Sequence, residues 1–376
     1  MNDARMSPRP HVCFVSETIF PVLAANESAV VGGSEVQQRI VAHALRKRGY
    51  RVSVLTGDHD VPDSVTTDGI EIFHVPPAGR RGIRGLRRIH PRMTDVVRRL
   101  RDISPDVVYF RGANGVLGAC AWFARRVGKK AIFASASDAD FYPGRIFGIE
   151  RRELLLYRTA LRFCDLIVVQ NSAQKAMLLQ RFGRAGVIVP NCYTEDDFAI
   201  GKPTGPIVWI GQVDRNKRPE LFIDLASRHP DRQFVMVGGA RRQDDVSVDY
   251  YRAVEARARQ LGNLQFAGFV PFREVGRFYD GASALVNTSV LEGFPNTFLQ
   301  AWIRGIPTLS FVAPTTSDED AGTIACRDAD DLDLKLSALL RDADRWRAAA
   351  ERARRHFHTH HSLDAVMPIY ERLLCP

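Results

Sequence analysis

Short apolar runs alternate with longer stretches of helical periodicity along most of the chain. The pattern restarts after a polar stretch rich in Gly and Pro at residues 200–206. Continuous apolar runs of four to eight residues are typical of parallel strands buried on both faces. The predicted strands are 11–15, 51–55, 106–110, 131–134, 166–169 and 187–189, followed by 207–210, 233–237, 264–267, 284–287 and 308–311.

Helical segments separate these strands, for example 34–49, 115–127, 150–164 and 172–183. Strands that alternate with helices predict a doubly wound parallel sheet. Two such sets predict an α/β protein of two Rossmann-like domains facing a cleft, with ligands at the carboxyl ends of the strands. The expected domains are 1–200 and 201–361. A last helix within 362–376 is expected to cross back to the N-terminal domain, with Pro368 kinking it.

The composition is that of a globular chain long enough for two cores: 376 residues, 45% hydrophobic and 25% charged. The sequence contains no apolar run of about 18 residues and no apolar N-terminal signal segment, so we expect a cytoplasmic protein. The six cysteines are scattered without a C-x-x-C pair, which favours reduced thiols over a zinc site or disulfides. No Gly-x-Gly-x-x-Gly follows the first strand, which disfavours an NAD-dependent oxidoreductase.

The net charge of +9 and the pI of about 9.4 favour an anionic partner. A dense arginine cluster, Arg80–Arg101, is interleaved with apolar residues. It could bind the anionic inner face of a membrane peripherally. The alternative, narrowly preferred, is a solvated helix face with its apolar side in the core. No nucleic-acid-binding motif is visible.

Residues 284–307 form the most informative motif. An apolar strand, 284–287, runs into a loop carrying Glu292, and a helix begins at Pro295 or Asn296. Proline is tolerated at the first helical position, and a helix start directs N–H groups at an anion such as a phosphate. Glu292 and Gln300 flank that position and can accept hydrogen bonds from sugar or ribose hydroxyls.

The Glu-Gly-Phe context and the spacing of Glu292 and Gln300 resemble the donor-binding signature of family 4 (GT4) retaining glycosyltransferases. The resemblance spans nearly the whole chain. It implies the GT-B fold, with an acceptor-side N-terminal domain and a C-terminal domain that binds a nucleotide sugar. In this family the first Glu touches the transferred sugar and a second Glu holds the ribose. Gln300 replaces that second Glu and lacks its charge assistance. The resemblance assigns four further residues to the donor: Phe294, Pro295, Asn296 and Thr297.

A second motif follows the first strand of the C-terminal half. Lys217 matches a family lysine, whereas Gln212 stands where the family has an arginine, and Arg215 is the candidate substitute. Cations here would stabilise the charge that grows on a departing diphosphate. The alternative is a solvated turn with paired charges.

Glycine turns at other strand ends are expected to approach the nucleotide with their backbone, and the alternative is an ordinary turn. These positions are Gly211, Gly239 and the turn that contains Val270.

In the N-terminal half, Gly32 and Gly33 precede a helix for which Ser34 is the predicted N-cap, with Gln37 at the capping-box position. The resemblance places this turn near the donor phosphates and the acceptor. Farther on, Ser137 and Asp138 stand where the family commonly has a histidine followed by an acid. We predict Asp138 to be an acceptor-side group, and the alternative is a capping aspartate.

The predicted activity is hexosyltransferase-like transfer of a sugar from a nucleoside diphosphate sugar to an acceptor hydroxyl, with retention. It would serve polysaccharide or glycolipid synthesis, with a carbohydrate or lipid-linked acceptor. No cofactor or metal beyond the donor is expected. One alternative is a nucleotide-sugar epimerase. The other is a non-catalytic subunit that binds nucleotide sugars, and the departures at Gln212, Ser137 and Gln300 keep this second alternative open.

Overall fold

The computed structural model describes residues 9–24, 32–57, 63–76, 90–142, 151–240, 244–312 and 322–375, with residues 151–153 described by their backbone alone. The chain divides into two compact units. One contains the described residues up to Asn191 together with those from Val366 onward, and the other is Cys192–Ala365. Within these ranges, no helix is long and apolar enough to span a lipid bilayer.

The first unit is built on an eight-stranded sheet in the order β3-β4-β2-β1-β5-β6-β7-β8. All neighbouring strands pair in parallel except β3, which pairs antiparallel with β4 at the edge. The strands are β1 His11–Val15, β2 Arg51–Thr56, β3 Ser64–Thr67, β4 Ile70–His74, β5 Val107–Arg111, β6 Lys130–Ala134, β7 Leu166–Val169 and β8 Val187–Ile188. The helices up to residue 191 are α1 Phe20–Leu23, α2 Gly33–Lys47, α3 Arg92–Ile103, α4 Leu117–Arg126, α5 Arg151–Ala160 and α6 Ser172–Phe182.

Helices cover both faces of this sheet, because the central strands are apolar on both sides. Apolar residues of α3, α4 and α5 share one core with Val108 and Phe110 of β5. Tyr109 points to the opposite face, since strand side chains alternate. There its ring lies against Phe14, and its hydroxyl is 3.3 Å from that of Tyr370 in the last helix.

The second unit is built on a six-stranded parallel sheet in the order β11-β10-β9-β12-β13-β14. The strands are β9 Ile207–Ile210, β10 Phe234–Val237, β11 Leu264–Gly268, β12 Ala284–Asn287, β13 Thr308–Ser310 and β14 Thr323–Ala325. The helices from residue 192 onward are α7 Pro219–Arg228, α8 Asp245–Ala258, α9 Asn296–Ile303, α10 Ala329–Arg341, α11 Ala343–His360 and α12 Leu363–Leu374.

Helix α12 contains Pro368 and ends in the first unit. Besides the contact of Tyr370, its carbonyl end is bound by Lys130 of β6, whose Nζ donates to the carbonyl oxygen of Leu373 at 3.1 Å.

The predicted fold class is confirmed, and all eleven predicted strands are present within two residues at each end. Three strands were not predicted. Strands β3 and β4 form a hairpin at the sheet edge with a mixed polar and apolar pattern, and β14 has only three residues. Such short or half-exposed strands lack the continuous apolar run on which the prediction relied.

The N-cap prediction for α2 is wrong. The helix begins at Gly33 and its N-cap is Gly32, in extended conformation, so Ser34 lies inside the first turn. The Ser34 hydroxyl donates to Glu35 Oε2 at 2.7 Å, and Thr18 donates to Glu35 Oε1 at 2.7 Å. Ser34 therefore bonds a neighbouring carboxylate instead of capping the helix, and Gln37 is buried.

The part of the arginine cluster up to Arg88 lies outside the described residues, but its later part forms α3. The apolar side of α3, including Val96, Leu100 and Ile103, packs into the core of the first unit. Arg99 donates to the carbonyl oxygen of His74 at 3.2 Å. The described part of the cluster is thus a core helix with a basic outer side, the reading that the sequence narrowly favoured.

The core of the second unit provides a test of the fold. Phe222 of α7 is fully buried and meets the Phe234 ring edge-on, with centroids 5.4 Å apart. Phe222→Ala should reduce the free energy of unfolding by about 3–5 kcal/mol, because it leaves a cavity in a packed core. Chemical denaturation measures this. The control Leu334→Ala changes a side chain that is 68% exposed on α10 and should cost less than about 0.5 kcal/mol. Equal effects of the two variants would contradict the packing described here.

Candidate functional site

Loops at the carboxyl edge of the six-stranded sheet are joined to one another by backbone contacts. The N–H of Val213 donates to the carbonyl oxygen of Gly239 at 2.8 Å, and Gly238 donates to Gly268 at 2.8 Å. A Cβ on Gly238 would lie 1.9 Å from the carbonyl oxygen of Gly211. Only glycine allows that approach. The three glycine turns predicted from sequence therefore lie side by side at this edge.

An ion pair forms at the same edge, between two residues that were predicted to bind the donor. Lys217 Nζ contacts Glu292 Oε1. The same oxygen accepts from the Ser289 hydroxyl at 2.6 Å and from Asn287 Nδ2 at 3.3 Å. The side chain of Glu292 is 11% exposed and that of Lys217 is 24% exposed. The pair is thus largely withdrawn from water, yet Lys217 still reaches the surface.

Local hydrogen bonds hold the two loops in place. Lys217 N–H donates to Asp214 Oδ1 at 3.0 Å, which closes a turn after β9. Asn216 then connects this turn to the loop after β12. Its side chain donates to the carbonyl oxygen of Leu291 at 2.9 Å, and its own carbonyl oxygen accepts from the N–H of Val290 at 2.8 Å. The position of Lys217 relative to Glu292 is therefore set by backbone as well as by charge.

Helix α9 begins directly after the Glu292 loop, as predicted. Pro295 is its N-cap residue, no side chain caps it, and its first turn contains no acid. Phe294 is buried, with its ring 5.9 Å from that of Trp302 and 4.7 Å from that of His361. Asn296 and Thr297, half-buried, form the first turn. The partial positive charge at this end would attract an anion.

Gln300 lies on the inner side of α9 and is 4% exposed. Its Oε1 accepts from the Tyr279 hydroxyl at 3.0 Å, and its Nε2 donates to the Tyr193 hydroxyl at 3.3 Å. Tyr193 in turn donates to Glu195 at 3.0 Å. Burial raises the pKa of Tyr193 to about 12, so this hydroxyl keeps its proton at neutral pH. Both ends of the Gln300 amide are bonded within the protein.

Arg215, the candidate second phosphate cation, lies against an aromatic ring, and its role towards the donor stays a prediction. Its exposed guanidinium lies 5.0 Å from the centre of the Tyr250 ring, and the Tyr250 hydroxyl donates to Glu220 at 2.7 Å. Arg218 on the same loop donates through Nε to the carbonyl oxygen of Thr288 at 2.8 Å. Gln212 is half-buried on the same loop.

Val270 is half-buried beyond the end of β11, next to the exposed Phe269. A Cβ on Gly239 would lie 3.0 Å from Phe269 Cβ. These turns therefore bring backbone and an aromatic ring together at the edge of the sheet. The sequence reasoning missed Ser289 and Asn287 as partners of Glu292. Their position at the end of an apolar strand was the available signal.

The remaining predicted residues belong to the first unit. At Gly32, a Cβ would lie 2.3 Å from Glu35 Oε2, so the carboxylate fills the space next to this glycine. Gly33 opens helix α2. Asp138 lies in a short 3-10 helix, Asp138–Phe141, for which Ser137 is the N-cap. The capping residue is thus Ser137 and not Asp138.

Asp138 is held through a buried glutamine. Its Oδ1 accepts from Gln174 Nε2 at 2.8 Å. The Oε1 of Gln174 accepts from the Ser135 hydroxyl at 2.6 Å and from the N–H of Gln170 at 2.9 Å. These bonds fix which end of the amide faces the aspartate. Burial raises the pKa of Asp138, and the bond from Gln174 partly opposes that shift.

Among the described residues, no group of three or more His, Cys, Asp or Glu side chains has an arrangement that could hold a metal ion. Of the C-terminal histidines, His356 and His361 are buried beside the Trp302 ring.

Comparison with known families and structures agrees with this architecture. The family model described as "Glycosyl transferase 4-like domain" matches residues 32–193, and the model described as "Glycosyl transferases group 1" matches 205–342. These two matches cover most of the chain. The chain therefore belongs to the glycosyltransferases with the GT-B fold, and its domains are consistent with family 4.

Curated relatives match parts of the chain. Mannosylfructose-phosphate synthase of Agrobacterium fabrum is 24% identical over 42% of this chain and 39% of its own length. The O-antigen biosynthesis glycosyltransferase WbnH of Escherichia coli is 26% identical over 39% of this chain and 41% of its own length. The chain thus spans about two fifths of the length of these relatives.

Solved structures match the whole chain in fold. Sucrose-phosphate synthase from Thermosynechococcus elongatus has a TM-score of 0.76 at 17% identity and covers 97% of this chain and 98% of its own. HepE from Anabaena, in complex with UDP and glucose, has a TM-score of 0.71 at 15% identity and covers 97% and 99%.

A buried carboxyl in the first unit gives a prediction for pH dependence. Asp140 accepts from the N–H groups of Ala136, Ser137 and Ala113, yet burial raises its pKa to about 6 from 3.8. Between these values the folded protein holds a proton that the unfolded chain has lost. Stability should therefore fall by up to about 3 kcal/mol as pH rises from about 3 to 7, with most of the loss between about 4 and 6.

Denaturation at a series of pH values measures this slope, and Asp140→Asn, which cannot ionise, should flatten it. An unchanged slope in the variant would contradict the assignment to Asp140.

Proposed function

We propose that the protein is a retaining glycosyltransferase that moves a sugar from a nucleoside diphosphate sugar to an acceptor hydroxyl in polysaccharide or glycolipid synthesis. The observation that carries the proposal is the ion pair of Lys217 and Glu292 at the carboxyl edge of the second unit's sheet, next to the start of α9. The two family models support the reaction class. The complex of the similar protein HepE with UDP-glucose supports the donor class. The similarity to the O-antigen biosynthesis glycosyltransferase WbnH supports the pathway.

In this proposal the diphosphate lies against Lys217 and the N-terminal turn of α9, where Phe294, Pro295, Asn296 and Thr297 shape the phosphate site. The glycine turns at Gly211 and Gly239 and the turn at Val270 approach the nucleotide with backbone. Asp138 in the first unit acts on the acceptor, through the oxygen that no described residue bonds.

The reaction breaks the bond between the anomeric carbon and the diphosphate oxygen and forms a bond from that carbon to the acceptor oxygen on the same face. The acceptor proton passes to the departing phosphate oxygen. Lys217 stabilises the charge that grows on the diphosphate, which lowers the barrier more than it stabilises the bound donor. Glu292 accepts hydrogen bonds from sugar hydroxyls. No divalent metal is required in this scheme.

A panel of UDP-, GDP- and ADP-sugars tests the donor class by thermal shift, because a ligand that binds the folded state raises the melting temperature by mass action. Transfer is then tested by measuring nucleotide release with a series of octyl glycosides as acceptors, in the presence of EDTA to remove divalent metal ions. NMR of the product tests retention. A donor converted without any acceptor would favour the epimerase alternative. Donor binding without turnover would favour a non-catalytic subunit.

Lys217→Ala should lower turnover more than tenfold, because a charged hydrogen bond contributes about 1.5–3 kcal/mol. Steady-state nucleotide release measures the loss. The control Lys202→Ala removes an exposed lysine of the same unit and should stay within about twofold of the wild type, as expected for a surface change. Near-normal turnover of the Lys217 variant would remove this residue from the mechanism.

Glu292→Gln should separate nucleotide affinity from sugar transfer. The amide oxygen can still accept from Ser289 and Asn287, but the charge that neutralises Lys217 is gone. UDP or ADP without a sugar should therefore bind about fivefold more tightly, as expected for the loss of a partly exposed competing ion pair. Turnover of the nucleotide sugar should fall and discrimination between sugars should weaken. Calorimetry and donor kinetics measure the two effects, and weaker nucleotide binding would contradict the competition.

A further inference from the structure

An apolar and basic patch lies on the outer side of α4 and α5 in the first unit. Trp122 is 55% exposed on α4, and Leu155 is 68% exposed on α5. Phe163, just after α5, is 44% exposed. Large apolar side chains exposed this far in one area usually mark an interaction site. We call these three residues, with Arg125, Arg126 and Arg162, the α4–α5 patch.

The two helices that carry the patch pack against each other. A Cβ on Gly118 of α4 would lie 4.0 Å from both Leu156 O and Ala160 Cβ, so the helices pack closely at that point. Farther along, the Arg125 guanidinium lies 5.6 Å from the centre of the Phe163 ring. On α4, Trp122 lies three and four residues before the two arginines, a spacing that places them on one helix side.

The three arginines of the patch are exposed, and no acid within the described ranges pairs with them. Elsewhere on the surface such pairs are common. Arg252, Arg259 and Arg347, also exposed, lie within 4 Å of Asp249, Glu255 and Asp344. The positive charge of the patch is therefore available to an outside partner.

We propose that the α4–α5 patch docks the protein on an anionic lipid surface, with the arginines at the headgroups and Trp122, Leu155 and Phe163 at the acyl boundary. Tryptophan is enriched at that depth, and arginine is attracted by anionic lipid. A second copy of the chain fits poorly, because a twofold contact would bring six arginines together. A nucleic acid would use the arginines but would leave the aliphatic Leu155 without a partner.

The distribution of tryptophan makes the contact directly observable. The chain has four tryptophans, and Trp209, Trp302 and Trp346 are buried, whereas Trp122 is exposed. Vesicles of phosphatidylcholine mixed with brominated phosphatidylglycerol should bind the protein and quench its fluorescence. In Trp122→Phe, binding should persist and the quenching should be lost. Vesicles of phosphatidylcholine alone should bind weakly.

Substitutions test which surface binds. Each arginine near an anionic leaflet is worth about fivefold in affinity, so replacing Arg125, Arg126 and Arg162 by Ala should weaken vesicle binding on the order of 100-fold. The matched control replaces the acid-paired Arg252, Arg259 and Arg347 by Ala, which removes the same formal charge from the second unit. Leu155→Ser should weaken binding severalfold, whereas Leu334→Ser, also 68% exposed in the wild type, should not.

Equal losses in the two triple variants, or binding without quenching of Trp122, would overturn the proposal in favour of general charge attraction or another surface. Failure to bind anionic vesicles at low salt would overturn it outright, and binding to an oligonucleotide instead would assign the patch to nucleic acid. Sugar transfer is measured separately, in the absence of vesicles, so the proposed function stands or fails independently.

Discussion

The ion pair between Lys217 and Glu292 is the contact on which the rest of the candidate site depends. Withdrawing two charges from water is costly unless further hydrogen bonds satisfy them. Here Ser289 and Asn287 supply such bonds to the carboxylate, while Asn216 fixes the distance between the two loops. Under the proposed function, the pair keeps the two loops in position before the donor binds. An arriving diphosphate would then replace the carboxylate at Lys217 and release Glu292 to bind sugar hydroxyls.

The topology explains why residues 75 positions apart in sequence meet at this point. Strands β9 and β12 are neighbours in the parallel sheet, so the segments that follow them leave from the same edge. The order of motifs along the sequence was enough to predict that Lys217 and Glu292 lie at one edge. It could not predict their direct contact, which depends on loop conformation and on Asn216.

Other parts of the structure show where sequence patterns lose information. Continuous apolar runs located the buried strands within two residues, but the β3–β4 hairpin has the mixed pattern of an edge and was missed. The sequence predicts Ser34 to be an N-cap, yet its hydroxyl donates a hydrogen bond to Glu35 instead. The position of Arg215 over Tyr250 arises from a helix that begins 30 residues later, and no local pattern reveals that contact.

Gln300 shows how a departure from a family pattern can be matched by its surroundings. Tyr279 donates to its Oε1, so an acceptor is needed on that side. On the other side, the Tyr193 hydroxyl donates its hydrogen bond to Glu195, so position 300 must supply a donor to the Tyr193 oxygen. An amide offers both, whereas a carboxylate offers only acceptors. Glutamate here would compete with Glu195 for the single tyrosine proton. It would also add a negative charge near Arg304, which already pairs with Glu195 at 2.7 Å and with Asp280 at 3.1 Å. The sequence predicts Gln300 to be a ribose ligand without charge assistance, and this stays a prediction. The structure adds that the amide completes a buried hydrogen-bond chain.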